Sequence, residues 1–167
     1  MKSRYVQYYV EGDDERKLVD VLKNDLKVIL PGKVHKLNVV DQEITCMHLR
    51  TLNHATMVVL IFDTDTSNPN ILKKNIQTLH KCSSVSEIVL IPQVRNLEDE
   101  LVRSCNIKKA EELLGCKSRT QFKSDFIHIS NLGKKLLEHG FDINRLWSGS
   151  PSAFFQGVDN QASRIKL

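Results

Sequence analysis

No apolar run in this 167-residue chain approaches the roughly 18–20 residues that a membrane-spanning helix requires. A bilayer span is therefore not expected. The opening stretch, MKSRYVQYYVEG, has no long apolar segment ahead of a small-residue cleavage site. It reads as a first strand and not as a signal peptide, and a cytoplasmic location follows as the expectation. The glycine-rich phosphate loops are missing too. Neither GxxxxGK[ST] nor GxGxxG occurs, which excludes nucleotide binding of the Walker or Rossmann kind. The four cysteines, Cys46, Cys82, Cys105 and Cys116, form no CxxC and no Cys/His group with zinc spacing, so they read as reduced thiols. The histidines are scattered without metal spacing, and His128 and His139 read as surface or structural residues. The single tryptophan, Trp147, stands beside Leu146 and near Phe141 and reads as a packing anchor. Charge of one sign is only slightly in excess, at +4, which is compatible with a polyanionic partner but does not indicate one.

What remains is the composition of one compact domain, since 41% apolar residues suffice for a core. Short apolar runs alternate with amphipathic stretches, the pattern of an α/β protein with a parallel sheet. Tyr5 to Val10 predicts a first strand and Asp14 to Leu26 a helix, with Leu18, Val19, Leu22 and Leu26 near helical spacing. Pro31 and Gly32 mark a turn before a second strand over His35 to Val40, and a helix is favoured over Asp41 to Asn53. The run TMVVLIF, Thr56 to Phe62, is the most apolar in the chain and predicts a fully buried central strand. A helix over Asn68 to His80 and a fourth strand over Ser86 to Val94 follow, with Pro92 near the strand's end. Beyond it the alternation stops. Leu97 to Cys105, Ile107 to Leu114, Arg119 to Ile127 and Leu132 to His139 all read as helical. The expected fold is a doubly wound, mainly parallel four-stranded sheet over residues 1–105. A helical extension covers 106–147, and an irregular tail, with Phe154 and Phe155 favouring docking, covers 148–167.

Such a sheet binds ligands beyond the carboxyl ends of its strands, where strand order reverses. With the first and third strands as neighbours there, Glu11 and Gly12 lie just past one strand, and Asp63 and Asp65 just past the other. Crowded carboxylates repel, and a divalent cation with oxygen ligands removes the penalty. Magnesium, or manganese in its place, is the expected ion, suited to phosphoryl chemistry. Gly12 is expected to permit a positive φ and close approach of the backbone to a ligand. The bland alternatives are a strand-to-helix turn at Glu11-Gly12, and a helix cap and loop residue at Asp63 and Asp65.

VEGDDE after one apolar strand and LIFDTD after another resemble the two signature motifs of the Toprim domain. The resemblance covers roughly residues 5 to 105. It implies Glu11 as general acid or base or as a metal ligand, and Asp63 and Asp65 as magnesium ligands. The motif pattern is closest to that of the OLD-family-like nucleases, which implies a further acid at Glu15 and another at Glu98 within Asn96-Leu97-Glu98, where Asn96 replaces the family's aspartate. It also implies a catalytic lysine on a later helix, for which Lys123 is the candidate and Lys117 the alternative. The implied activity is metal-dependent cleavage of DNA or RNA in a defence or toxin role. The implied partners are nucleic acid and a separately encoded ATPase or other protein. Two other functions fit the same motifs: a non-catalytic nucleic-acid-binding or assembly module, and a phosphoryl-transfer domain of receiver or phosphatase type that uses Asp63 as nucleophile.

Overall fold

A computed structural model describes residues 5–66, 68–151 and 153–167; Met1 to Arg4 of the expected N-terminal strand segment and Ser152 of the tail fall outside them. Four strands, β1 (Tyr5–Val10), β2 (Lys33–Lys36), β3 (Thr56–Asp63) and β4 (Val85–Gln93), form one sheet in the order β2-β1-β3-β4. All its pairings are parallel. The chain runs outward from β1 to β2, then crosses back to β3 and on to β4. The order therefore reverses between β1 and β3, which are neighbours as expected.

The helices cover both faces. On one side lie α1 (Asp13–Asp20), α4 (Leu97–Ser104), α5 (Arg119–His128) and α6 (Leu132–Glu138); on the other lie α2 (Cys46–Arg50) and α3 (Asn70–His80). The period-two alternation of β3 explains why one strand serves both. Met57, Val59 and Ile61 enter the first core with Leu18, Leu101, Phe126 and Leu136. Val58, Leu60 and Phe62 enter the second with Leu72, Leu79 and Phe155. No residue of the run TMVVLIF has a solvent-facing side, which is what makes it continuous in the sequence.

Several elements differ from their expected bounds. The first helix changes at Val21 into a wide π turn, Val21–Asp25, in which the Leu26 N–H reaches Val21 O at 3.0 Å. It ends at Lys27, whose φ of 55° breaks helical geometry. The second strand lies earlier than predicted: only Lys33–Lys36 pair with β1. Asn38 then turns the chain, its side-chain oxygen accepting from Val40 N–H at 3.1 Å. Leu37 still donates its N–H to Val10 O at 2.8 Å, but Val39 and Val40 are buried in a loop under α3, not in a ladder. Of the helix favoured over Asp41 to Asn53, only α2 forms. The preceding residues are held instead by the buried Asn75, which donates to Val39 O and Gln42 O, both at 2.8 Å. The helix expected over Ile107 to Leu114 is a single 3-10 turn, Ala110–Leu113, that stops before Gly115 at φ 69°.

The tail is docked by backbone bonds. Leu30 N–H donates to Ile165 O at 2.9 Å, Leu167 N–H donates to Val28 O at 3.0 Å, and Gln161 exchanges two bonds of 2.9 Å with Leu90 on the outer edge of β4. Phe155 is buried, while Phe154 is exposed. No described helix is long and apolar enough to cross a membrane.

Candidate active site at the strand ends

The crevice lies where β1 and β3 end side by side. Glu11 follows the last residue of β1 and lies beside Asp63, the last residue of β3, near enough for the Asp63 backbone to favour its ionised form. Two acids more than fifty positions apart thus meet because their strands pair in register, Tyr9 opposite Leu60. The bland reading of Asp63 and Asp65 as a helix cap and a loop residue holds only in its second half: α3 begins at Asn70, so neither acid caps it, while Asp65 lies in the intervening loop.

Each acid is positioned differently. Asp63 accepts from Gln93 Nε2 at 2.6 Å, its partner across the β3–β4 register. Gln93 is fully buried, and its Oε1 accepts from Trp147 Nε1 at 3.2 Å. Trp147 in turn donates its backbone N–H to Glu100 Oε2 at 2.9 Å, and Glu100 is also fully buried, binding Val94 N–H at 2.8 Å and Arg103 at 2.7 Å. Thr64 turns inward and pins the loop: its hydroxyl donates to Gln93 O at 2.7 Å, and its N–H meets Arg95 O at 3.2 Å. Asp65, next in alternation, is exposed at the rim. Arg95 has φ 68°, a left-handed turn that lets Asn96 cap α4 through the Asp99 N–H at 3.1 Å.

Glu15 is buried on α1 and reaches back to accept the Gly12 N–H at 2.9 Å, closing the helix start. Gly12 does not adopt the positive φ expected of it; it is extended, at φ −139°. What its missing side chain permits is close approach, since a Cβ there would stand 2.9 Å from Asp14 Oδ1 and 3.1 Å from Glu15 Oε2. The glycine makes room for carboxylates.

The electrostatics follow from burial and crowding. Burial, then the charge of Glu11, pushes the Asp63 carboxyl up to about 8. Burial, then the hydrogen bond and charge of Asp14, pushes Glu15 up to about 9. Glu11 is raised as well, by burial and by the charges of Asp65, Asp41 and Asp14, against the opposing influence of the Asp63 backbone. Glu98 behaves in the opposite way. Burial would raise it, but its own backbone N–H, Lys123 and Arg119 together draw it below the ordinary glutamate value.

The structure therefore brings together Glu11, Asp63 and Glu15, with Asp65 at the edge. It does not gather them into a closed cage: among the described residues, no three His, Cys, Asp or Glu side chains converge as a preformed metal site. The expectation of three carboxylates in one cation-sized pocket is corrected to that extent. The physical reason is that each acid has another holder, Gln93 for Asp63 and Gly12 for Glu15, while Asp65 faces solvent. Glu98 stands apart in an ion-pair group with Arg119 Nη2 at 3.1 Å and Lys123 Nζ at 3.3 Å, although Asp63 still feels its charge. Lys117, the alternative lysine, uses its backbone N–H to bind Gln121. Gln93, Glu100 and Arg119 were not singled out by the sequence. Only Gln93 left a trace there, as the polar residue that follows the apolar run IVLIP.

The donor set suits a hard divalent cation. It is all oxygen, and it holds carboxyls whose ionisation is suppressed by one another and by burial, the condition that a bound dication reverses. Comparisons of the chain with protein-family models, curated proteins and solved structures return no match.

Proposed function

We propose that the protein is a metal-dependent phosphodiesterase of Toprim type that cleaves nucleic acid. The observation that carries the reading is the juxtaposition of Glu11 and Asp63 at two adjacent parallel strand ends, close enough that the charge of Glu11 raises the Asp63 carboxyl. It joins the two halves of the EG and DxD signature in one crevice. Magnesium or manganese would be held by Glu11 and Asp63, with Asp65 at the rim, and would supply charge neutralisation at the phosphate and a more acidic water.

The chain's own residues supply the remainder. Gln93 fixes the Asp63 carboxylate by donating to one oxygen, leaving the other toward the crevice. Glu11, half-buried and raised in pKa, is placed to take a proton from an attacking water. Glu15, buried, closes the start of α1 beneath the acids. Arg119 and Lys123, on a helix packed against α1, would offset negative charge on the nucleic-acid backbone once released from Glu98. Glu98, tied to these cations, is not needed as a ligand in this scheme.

The experiment is a cleavage assay on single- and double-stranded DNA and RNA in magnesium, manganese or EDTA, with Glu11→Gln and Asp63→Asn beside the wild type. Cleavage should require the metal and both acids. Undiminished cleavage by Asp63→Asn removes the mechanism. Binding without cleavage in any metal favours the non-catalytic module.

A further inference from the structure

Arg119 and Lys123 lie one turn apart on α5 and share a single anion. Arg119 Nε at 3.2 Å and Nη2 at 3.1 Å, together with Lys123 Nζ at 3.3 Å, all reach the same atom, Glu98 Oε1. That is a poor match. A guanidinium fork pairs best with two oxygens, one per N–H, and an ammonium needs its own acceptor. Three donors on one carboxylate oxygen leave the fork half used; a phosphate, with several outward oxygens, would take them separately.

The surroundings suit a polymer more than a small molecule. The two cationic side chains are 60% and 52% exposed, whereas Glu98 is 12% exposed beneath them. A cavity of about 220 Å³ opens beside the group, walled by Arg119, Lys108 and Lys109 and by the acids Glu98, Asp99 and Glu111. The helix that carries the pair packs against α1, whose first turn forms the floor of the acidic crevice. Asp63 feels the charge of Glu98, and α4 and α5, which carry Glu98 and the cations, lie on the same face of the sheet as α1.

We propose that Arg119 and Lys123 form a clamp for a backbone phosphate of a nucleic-acid strand, and that Glu98 occupies the clamp while no strand is bound. The proposal rests on the nuclease reading for the identity of the strand. The clamp fixes the strand next to the crevice, and the strand displaces Glu98. Glu98 thereby lowers affinity for anions that offer too few contacts to compete, which favours a polyanion over free phosphate.

The test measures binding of a labelled single-stranded oligonucleotide to the full chain in EDTA, by fluorescence anisotropy over a range of salt. Glu98→Gln should tighten binding by about three- to ten-fold, because the clamp stands open. Asp159→Asn, which removes an exposed acid elsewhere and changes the net charge equally, should tighten it by less than about two-fold. Arg119→Gln and Lys123→Gln should each weaken binding and lower the salt slope by about one. Inorganic phosphate should compete only weakly. A Glu98→Gln gain no larger than that of Asp159→Asn, or cation variants that bind as the wild type does, overturns the clamp. A gain confined to strands bearing a 5′-phosphate overturns the assignment to a backbone phosphate. Cleavage in magnesium is read separately. Loss of the clamp effect with Asp63-dependent cleavage intact leaves the nuclease reading standing, and the reverse pattern leaves the clamp standing alone.

Discussion

Replacing Asp63 by asparagine should make the metal-free protein more stable while destroying its response to metal. In the unfolded chain the carboxyl titrates near 3.8, and in the native crevice near 8. Folding at neutral pH must therefore take up a proton. At about 1.4 kcal/mol per pH unit over roughly three units, the ceiling of that cost is about 4 kcal/mol. Water entry and side-chain relaxation reduce it, and the new amide N–H₂ must find its own partners. Asparagine keeps the oxygen that accepts from Gln93 Nε2 and has no proton to acquire. A net gain of about 2 kcal/mol, or roughly 4–8 °C in Tm for a chain of this size, is the expected result. The pH dependence has a definite sign. With its native pKa raised, Asp63 favours the fold fully below about 4, and this contribution drains away as pH rises through about 8. The Tm difference between variant and wild type in EDTA should thus widen from acid to mildly alkaline buffer. Magnesium at a hundred times its Kd should restore about 2.7 kcal/mol to the wild type and nothing to the variant. Thermal denaturation in EDTA and in magnesium, at both ends of that pH range, measures all of this. A variant less stable than wild type in alkaline EDTA, or one that gains as much from magnesium, would refute the argument.

Three further outcomes are expected. Glu100→Leu strips partners from the N–H groups of Val94 and Trp147 and from Arg103, and should cost about 3–5 kcal/mol in denaturant unfolding; a change below about 1 kcal/mol contradicts the assigned role. Ile165→Ala, at a fully buried tail position, should cost about 2–5 kcal/mol, whereas a loosely attached tail would lose almost nothing. His48 Nδ1 accepts the Thr45 N–H at 3.0 Å, and burial and the neighbouring His35 hold its pKa below the usual 6.5. Its contribution to α2 is present above about 6.5 and lost as pH falls through the lower native value, so amide protection in α2 should drop on acidification. Glutamine at position 48 keeps the cap without titrating and should abolish that drop; persistence of the drop would assign it elsewhere.

Three strands were legible because β1, β3 and the later part of β4 are rich in buried apolar residues, whereas the exposed β2 was misplaced. Tyr5–Val10 matched to the residue, and β3 and β4 to within one. The same logic misled at Leu37 to Val40, where apolar residues pack a loop and not a strand; burial is visible in sequence, hydrogen-bond partners are not. The meeting of Glu11 with Asp63 followed from strand order, but the exposure of Asp65 did not, since it depends on Thr64 turning inward to Gln93. Glu98 and Lys123 were placed in one site by analogy, and the structure joins them to each other. Glu100 was hidden within the acidic run of Leu97-Glu98-Asp99-Glu100, where nothing local distinguishes the one glutamate that points inward.

The hydrogen-bonded line from Asp63 through Gln93 and Trp147 to Glu100 ties the crevice to a residue late in the chain. A polypeptide whose segment around position 147 has not yet docked has every acid it needs, but the amide that aims Asp63 lacks its anchor. Competence at the crevice is thereby delayed until the helical region has closed over the sheet. On the proposed nuclease reading, cleavage belongs only to molecules whose helical region is docked.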